Sequence, residues 1–357
     1  MIVLHFFYSL NRKYAGADVA IPEHIKAQQE LETVACINVA NVKIDGIKNQ
    51  FEYTSDFRIS NLKEPFNNPD IIMFHEIYYP KFLSISKEAR KNNIPYIIIP
   101  HGGMTKQAQK NKRLKKIAGN ILFFNKFMKG AAAIQYLSEN EKINSFRNFP
   151  CFVSTNGLNM PSEQKTDFNE DKMVFSYIGR YDTHIKGLDL LIDAIKQNEN
   201  LLRQNNCIFN LYGPHTEYSK NDIESLRISI QEKNLSNIIV INGPVIDEEK
   251  KKVLLSTDIF IQCSRTEGMP MGILEAMSYG VPCLITEGTS LTKVLEKYDA
   301  GYGCETTVDG IAGTIEKAVL EKHLFKEKSL NAINLIKNEF LWDNVAKDAL
   351  ENYRKFI

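Results

Sequence analysis

The sequence predicts an α/β protein made of two doubly wound parallel sheets in succession. Three observations carry this. The chain has 357 residues, enough for two domains of ordinary size, and its 43% hydrophobic and 24% charged residues are those of a soluble globular protein. Short β-prone runs alternate with helix-prone segments. A polar stretch over residues 161–172 interrupts the alternation once, and the pattern then restarts. The domains are therefore expected at residues 1–165 and 166–340, followed by an amphipathic segment at 341–357 that carries the single tryptophan, Trp342.

In the first half, residues 1–8 read as a strand. They lack the basic flank of a secretory leader, and no apolar run in the chain reaches membrane-spanning length. A loop over residues 9–18 follows, then a helix-prone stretch at 21–31. Residues 34–39, 50–53, 71–75 and 96–100 are β-prone, with a helical segment at 82–92, and residues 131–137 and 151–154 complete the set. The strand at 96–100 runs into His101-Gly102-Gly103, which places an imidazole beside flexible backbone at a strand's carboxyl end, where it can hydrogen-bond a ligand hydroxyl.

Residues 105–129 are different in character. They hold Lys106, Lys110, Lys112, Arg113, Lys115, Lys116, Lys126 and Lys129, with no acidic residue between Gly102 and Ser138. Leu114, Ile117, Ile121, Phe124 and Met128 recur at helical spacing. The expectation is an amphipathic helix whose apolar stripe packs into its own domain, while the basic cluster at 106–116 faces anionic head groups or a lipid-linked acceptor.

In the second half, residues 173–178, 207–212, 238–241, 259–262 and 281–285 read as strands, with helices at 188–197, 222–233 and 247–256. The most informative stretch is 264–277. It follows the apolar strand Ile259-Phe260-Ile261 and passes through Gly268, Met269, Pro270, Met271 and Gly272 into helix-prone sequence at Ile273. Backbone N–H groups at the start of such a helix favour phosphate or a sugar oxygen. Two carboxylates, Glu267 and Glu275, stand at its two ends. Arg180 and Lys186 follow the strand at 173–178, and they can neutralise a phosphate, the first as a bidentate fork and the second as a mobile point charge. No Asp-x-Asp pair occurs in the chain, so no metal or other cofactor is expected.

The formal charge of +1 argues against a dedicated nucleic-acid binder. The six cysteines have no C-x-x-C spacing and no histidine at metal-ligand spacing, so they read as reduced thiols of a cytosolic protein rather than a zinc site or a disulfide framework.

The Glu267-x7-Glu275 stretch, together with Gly179-Arg180 and Lys186-Gly187, resembles the signature of family 4 retaining glycosyltransferases of the GT-B fold. That resemblance implies two Rossmann-like domains facing across a cleft, with the C-terminal helix crossing back to the first domain. It implies metal-independent transfer of a sugar from a nucleotide-diphosphate sugar to a glycan or polyprenyl-linked acceptor, in assembly of a bacterial capsule, exopolysaccharide or O-antigen at the inner face of the membrane. Glu275 is expected to hold the ribose, whose vicinal diol can donate two hydrogen bonds to one carboxylate. The resemblance also implies that Glu267 and His101 meet the transferred sugar, that backbone groups of Val245 pair with the base, and that Gly16, in an Ala15-Gly16 loop where relatives carry Gly-Gly, borders the diphosphate. Competing expectations are a nucleotide-sugar epimerase of the same architecture and a non-catalytic sugar-nucleotide sensor.

Overall fold

The computed structural model describes every residue except 12–15, 111, 169–170 and 216–219. The chain forms two units. Met1–Leu158 together with Phe340–Ile357 makes the first, and Asn159–Glu339 makes the second. The division at Leu158 falls ahead of the boundary near residue 165 that composition suggests.

Seven strands build the first sheet: β1 (Ile2–Phe7), β2 (Thr33–Asn38), β3 (Gln50–Phe51), β4 (Ile71–His75), β5 (Tyr96–Ile99), β6 (Ala133–Tyr136) and β7 (Cys151–Val153). Their order is β3-β2-β1-β4-β5-β6-β7, and every pairing is parallel. Runs such as Ile71-Ile72-Met73-Phe74 and Tyr96-Ile97-Ile98-Ile99 are wholly buried, as parallel strands covered on both faces require. Around them Phe6, Phe74, Phe82, Tyr96 and Phe127 meet in stacked and edge-on pairs.

The second sheet has six strands: β8 (Met173–Ile178), β9 (Cys207–Tyr212), β10 (Ile239–Asn242), β11 (Ile259–Gln262), β12 (Cys283–Thr286) and β13 (Gly301–Cys304). It is again parallel, in the order β10-β9-β8-β11-β12-β13. Both sheets are Rossmann-like. The order reverses between β1 and β4 in the first and between β8 and β11 in the second, and ligands of doubly wound sheets bind outside the strand ends at that reversal.

The C-terminal helix Trp342–Tyr353 belongs to the first unit, where it packs against the helix Gly16–Gln29. Gly157 makes room for it: a Cβ there would lie 2.7 Å from the Trp342 ring. Trp342 and Tyr353 are both buried.

Two expectations are corrected. The opening helix starts at Gly16 rather than Ile21; Ala15 and most of the loop before it lie outside the described residues. The basic segment is not one helix with a core-facing stripe. It is broken at Lys112, whose φ is +53°, and it opens into a π-helical turn at Asn120–Phe124. The extra residue in that turn rotates the apolar series off one line. Phe124 and Met128 are buried, whereas Leu114 is 83% exposed and Ile121 68% exposed.

Candidate functional site

In the second unit the loops leaving β8, β9 and β10 are laced together through their glycines. Gly179 N donates to Tyr212 O at 2.9 Å, and Gly213 N to Gly243 O at 3.3 Å. A Cβ on Gly213 would lie 2.2 Å from Gly179 O, so only glycine permits that approach. Tyr177 and Tyr181 reinforce the lacing. Tyr177 Oη donates to Arg180 O at 2.6 Å, and Tyr181 Oη to Leu211 O at 2.6 Å. Burial, and then the nearby Glu267 carboxylate, raise the Tyr177 hydroxyl's pKa far above its ordinary value, so it remains a donor. The Arg180 backbone is thereby fixed while its side chain stands in solvent.

On the other side of the strand reversal, β11 leads into residues 263–270 and then the helix Met271–Ser278. Gly272 brings this helix start against the end of β8, since a Cβ on it would lie 3.5 Å from Ile178 O. Met271 N and Ile273 N are already bonded, to Met269 O and Pro270 O. Among the described residues the Gly272 amide has no such acceptor, so it is open to a ligand.

Lys186 and Glu267 come together although they are far apart in sequence. Lys186 Nζ lies 2.5 Å from Glu267 Oε1, and the side chains are each 13% exposed. Two further donors reach the same oxygen, Ser264 Oγ at 2.7 Å and Gln262 Nε2 at 2.8 Å. Three hydrogen bonds on one oxygen set the carboxylate's orientation and leave Oε2 for another donor. Gly187 makes the encounter possible. Its φ is +63°, and a Cβ there would meet Cys263 O at 2.0 Å, so the loop carrying Lys186 can lie directly on the end of β11. Arg265 completes the clasp: it donates through both terminal nitrogens to Asp189 at 2.7 Å each, and to His184 O at 2.6 Å. Partial burial opposes ionisation of Asp189, but the hydrogen bonds and charge of Arg265 outweigh it and hold that carboxyl below its usual range.

Glu275 lies on the helix and is held by an ion pair to Lys250, on the helix Asp247–Ser256. Val245 sits half-buried in the loop after β10. Met269 and Pro270 lie on the approach to the helix, and Gly268 is half-buried beside Glu267. The structure thus brings Lys186 and Glu267 into contact and sets the Gly272 helix start against the end of β8, whose following loop carries the exposed Arg180. Sequence reasoning missed Gln262, Ser264, Arg265, Asp189 and Lys250. Of these only Gln262 gave a signal, as the one polar residue in a buried apolar strand.

His101 and Gly16 belong to the first unit. Among the described residues nothing lies within 4 Å of where a Cβ on Gly16 would stand. His101 has a φ of +47°, a strained setting for a residue other than glycine. The turn is held by Gly103 N to Pro100 O at 2.8 Å and by the buried Glu141 carboxylate, which accepts from Gly102 N at 2.5 Å and Leu137 N at 2.8 Å. The His101 ring stacks on His75, and its Nε2 lies 3.0 Å from His75 Nδ1. Burial, and then the charge of His24, push the imidazole down to about 3, so it is neutral at pH 7.

Among the described residues no cluster of His, Cys, Asp and Glu could hold a metal ion, and no helix is long and apolar enough to cross a membrane.

Two Rossmann-like sheets of seven and six strands, with charged loops at a strand reversal, define a protein of the GT-B class, and solved structures agree. The Anabaena HepE protein in complex with UDP superimposes with a TM-score of 0.72 at 16% identity, over 99% of this chain and 100% of that one. Residues 161–337, most of the second unit, match the family model described as glycosyl transferases group 1. Curated relatives include an uncharacterized glycosyltransferase of Methanocaldococcus jannaschii, 24% identical over 55% of this chain and 50% of its own length. The amylovoran biosynthesis glycosyltransferase of Erwinia amylovora is 28% identical over 34% of this chain and 29% of its own length. The chain thus spans half or less of the curated relatives it matches.

Proposed function

We propose that the protein transfers a sugar, with retention of configuration, from a nucleotide-diphosphate sugar to a hydroxyl of a glycan or polyprenyl-linked acceptor. The observation that carries this reading is the Lys186–Glu267 pair at the strand reversal of a group 1 domain, with the Gly272 helix start against the end of β8 and Arg180 on the loop that leaves β8. A UDP-sugar is the favoured donor, supported by the UDP held in the HepE structure. A role in surface-polysaccharide assembly belongs to the same reading, and the Erwinia relative is itself named for a biosynthetic role, that of amylovoran.

In the proposed reaction the anomeric C–O bond breaks and its electron pair passes to the departing diphosphate. The acceptor hydroxyl attacks the same face, and its proton goes to an oxygen of that diphosphate. Arg180 and Lys186 stabilise the growing negative charge, with the Gly272 amide adding the helix-terminus contribution. Glu275 holds the ribose diol and Glu267 Oε2 meets a hydroxyl of the transferred sugar. No metal enters this scheme. On the first unit, Lys106, Lys110, Lys112, Arg113 and Lys115 are exposed beside exposed Leu114, Ile117, Ile121, Leu122 and Phe123. Cations around an apolar patch without acidic residues suit the anionic cytoplasmic face of a membrane, where a polyprenyl-linked acceptor resides.

Incubation with UDP-, GDP- and ADP-sugars tests the reading. Slow release of a nucleoside diphosphate is the expected result. Formation of an epimeric sugar would establish an epimerase, and binding without turnover a sensor.

A further inference from the structure

Seven polar side chains and one backbone carbonyl form a continuous network through the core of the first unit, and one acceptor-only group sets its direction. Ser154 O can only accept, so Gln135 Nε2 donates to it at 3.1 Å. Gln135 must then present Oε1 to Tyr353, whose hydroxyl donates to it at 2.8 Å. With its proton committed, Tyr353 Oη accepts from Gln28 Nε2 at 3.4 Å, and this orients the Gln28 amide. Gln28 Nε2 also donates to His24 Nε2 at 2.5 Å, while Gln28 Oε1 accepts from His5 Nε2 at 3.0 Å. His5 Nδ1 is left as an acceptor for His75 Nε2 at 2.9 Å, and His75 Nδ1 in turn for His101 Nε2 at 3.0 Å. Each neutral imidazole carries one proton, so every step fixes the next.

We propose that His5, Gln28, His75 and Tyr353 are positioning residues that hold His101 in its Nε2–H tautomer, so that its Nδ1 lone pair accepts a hydrogen bond from a sugar hydroxyl. The occupant rests on the glycosyl-transfer reading; the tautomer does not. All four histidines are kept neutral: burial, then the neighbouring His24, pushes His5 down to about 3, burial pushes His24 down to about 4, and His75 lies well below its ordinary value. The groups that face His101 are His75, the nearby His24, and the Glu141 carboxylate beyond the Gly102 amide. An Nδ1–H His101 would set its Nε2 lone pair against the lone pair of His75 Nδ1 and break the chain, while the doubly protonated ring would keep that bond but is disfavoured by burial.

The test is nitrogen-15 NMR of the histidine-labelled full chain at pH 7. The expected pattern is Nε2–H for His5, His75 and His101, with the opposite tautomer for His24. A proton on His101 Nδ1, or two protons on that ring, would overturn the proposal. In Tyr353→Phe the Gln28 amide loses its orienting partner. The His101 signal should then move toward a mixture of tautomers, and donor turnover should fall severalfold. An unchanged tautomer, or a changed tautomer with unchanged turnover, would contradict the positioning role. The stated pattern in a protein that turns over no sugar nucleotide would leave the chain standing and refute glycosyl transfer alone.

Discussion

Glu275 and Glu267 are held by their neighbours in different ways. Glu267 has three donors on one oxygen and is held in place, whereas Glu275 has an ion pair to Lys250, itself a partly exposed side chain. Exposed pairs of this kind contribute little, so Glu275 can exchange its lysine for a ribose diol at small cost. Glu275→Ala should weaken UDP binding by about 1.5–3 kcal/mol, the usual range for hydrogen bonds to a charged group. Calorimetric titration of UDP into both proteins measures the difference, and equal affinities would remove Glu275 from the nucleotide site. Lys250→Ala should leave affinity equal or slightly tighter, because it releases the carboxylate.

Among the elements, strands with unbroken apolar runs were legible in the sequence because burial on both faces leaves no other solution. β13 was not, because its sequence Gly301-Tyr302-Gly303-Cys304 lacks such a run. Its glycines answer to close approach: a Cβ on Gly301 would lie 2.2 Å from Cys283 O. Arg180, Lys186, Glu267 and Glu275 were legible from type and spacing beside strand ends. Their supports were not, since Asp189 and Arg265, or Lys250 and Glu275, meet only once the sheet is wound. The basic segment was misread for another reason, the π-helical turn, which periodicity does not encode. Its consequence is an apolar patch open to solvent. Lys116 is not part of the open cationic set, since its Nζ donates to Ala108 O at 2.6 Å and lies over the Tyr78 ring. Replacing Lys110, Lys112, Arg113 and Lys115 with glutamine should release the protein from anionic vesicles, at about 1 kcal/mol per charge, within a Debye length of roughly 8 Å. Replacing Leu122 and Phe123 with serine should do the same on vesicles at high salt. Vesicle sedimentation that is absent in the wild type, or indifferent to both sets, would mark the segment as a solvated face.

For the whole molecule, the buried histidines give stability a pH dependence of known sign. His5, His24 and His75 are neutral in the folded protein far below the ordinary imidazole value near 6.5, whereas the unfolded chain binds their protons at that value. Below about pH 6.5 the unfolded state holds more protons, so stability is full above that pH and falls as pH drops toward about 4. The loss is on the order of 1 kcal/mol per pH unit for each buried histidine. Denaturant midpoints should therefore be lower at pH 5 than at pH 7, and a flat profile would show that the histidines are not held neutral.

The central claim is that Arg180 and Lys186 stabilise a departing nucleoside diphosphate without a metal, and release of UDP from UDP-sugars in the presence of EDTA tests it most directly. The account predicts that the wild type releases UDP at the same rate with and without EDTA. Arg180→Ala and Lys186→Ala should lose turnover by more than they lose donor binding, because both charges act chiefly as the leaving group gains charge. Turnover abolished by EDTA and restored by manganese or magnesium, or turnover unchanged in both variants, would contradict it.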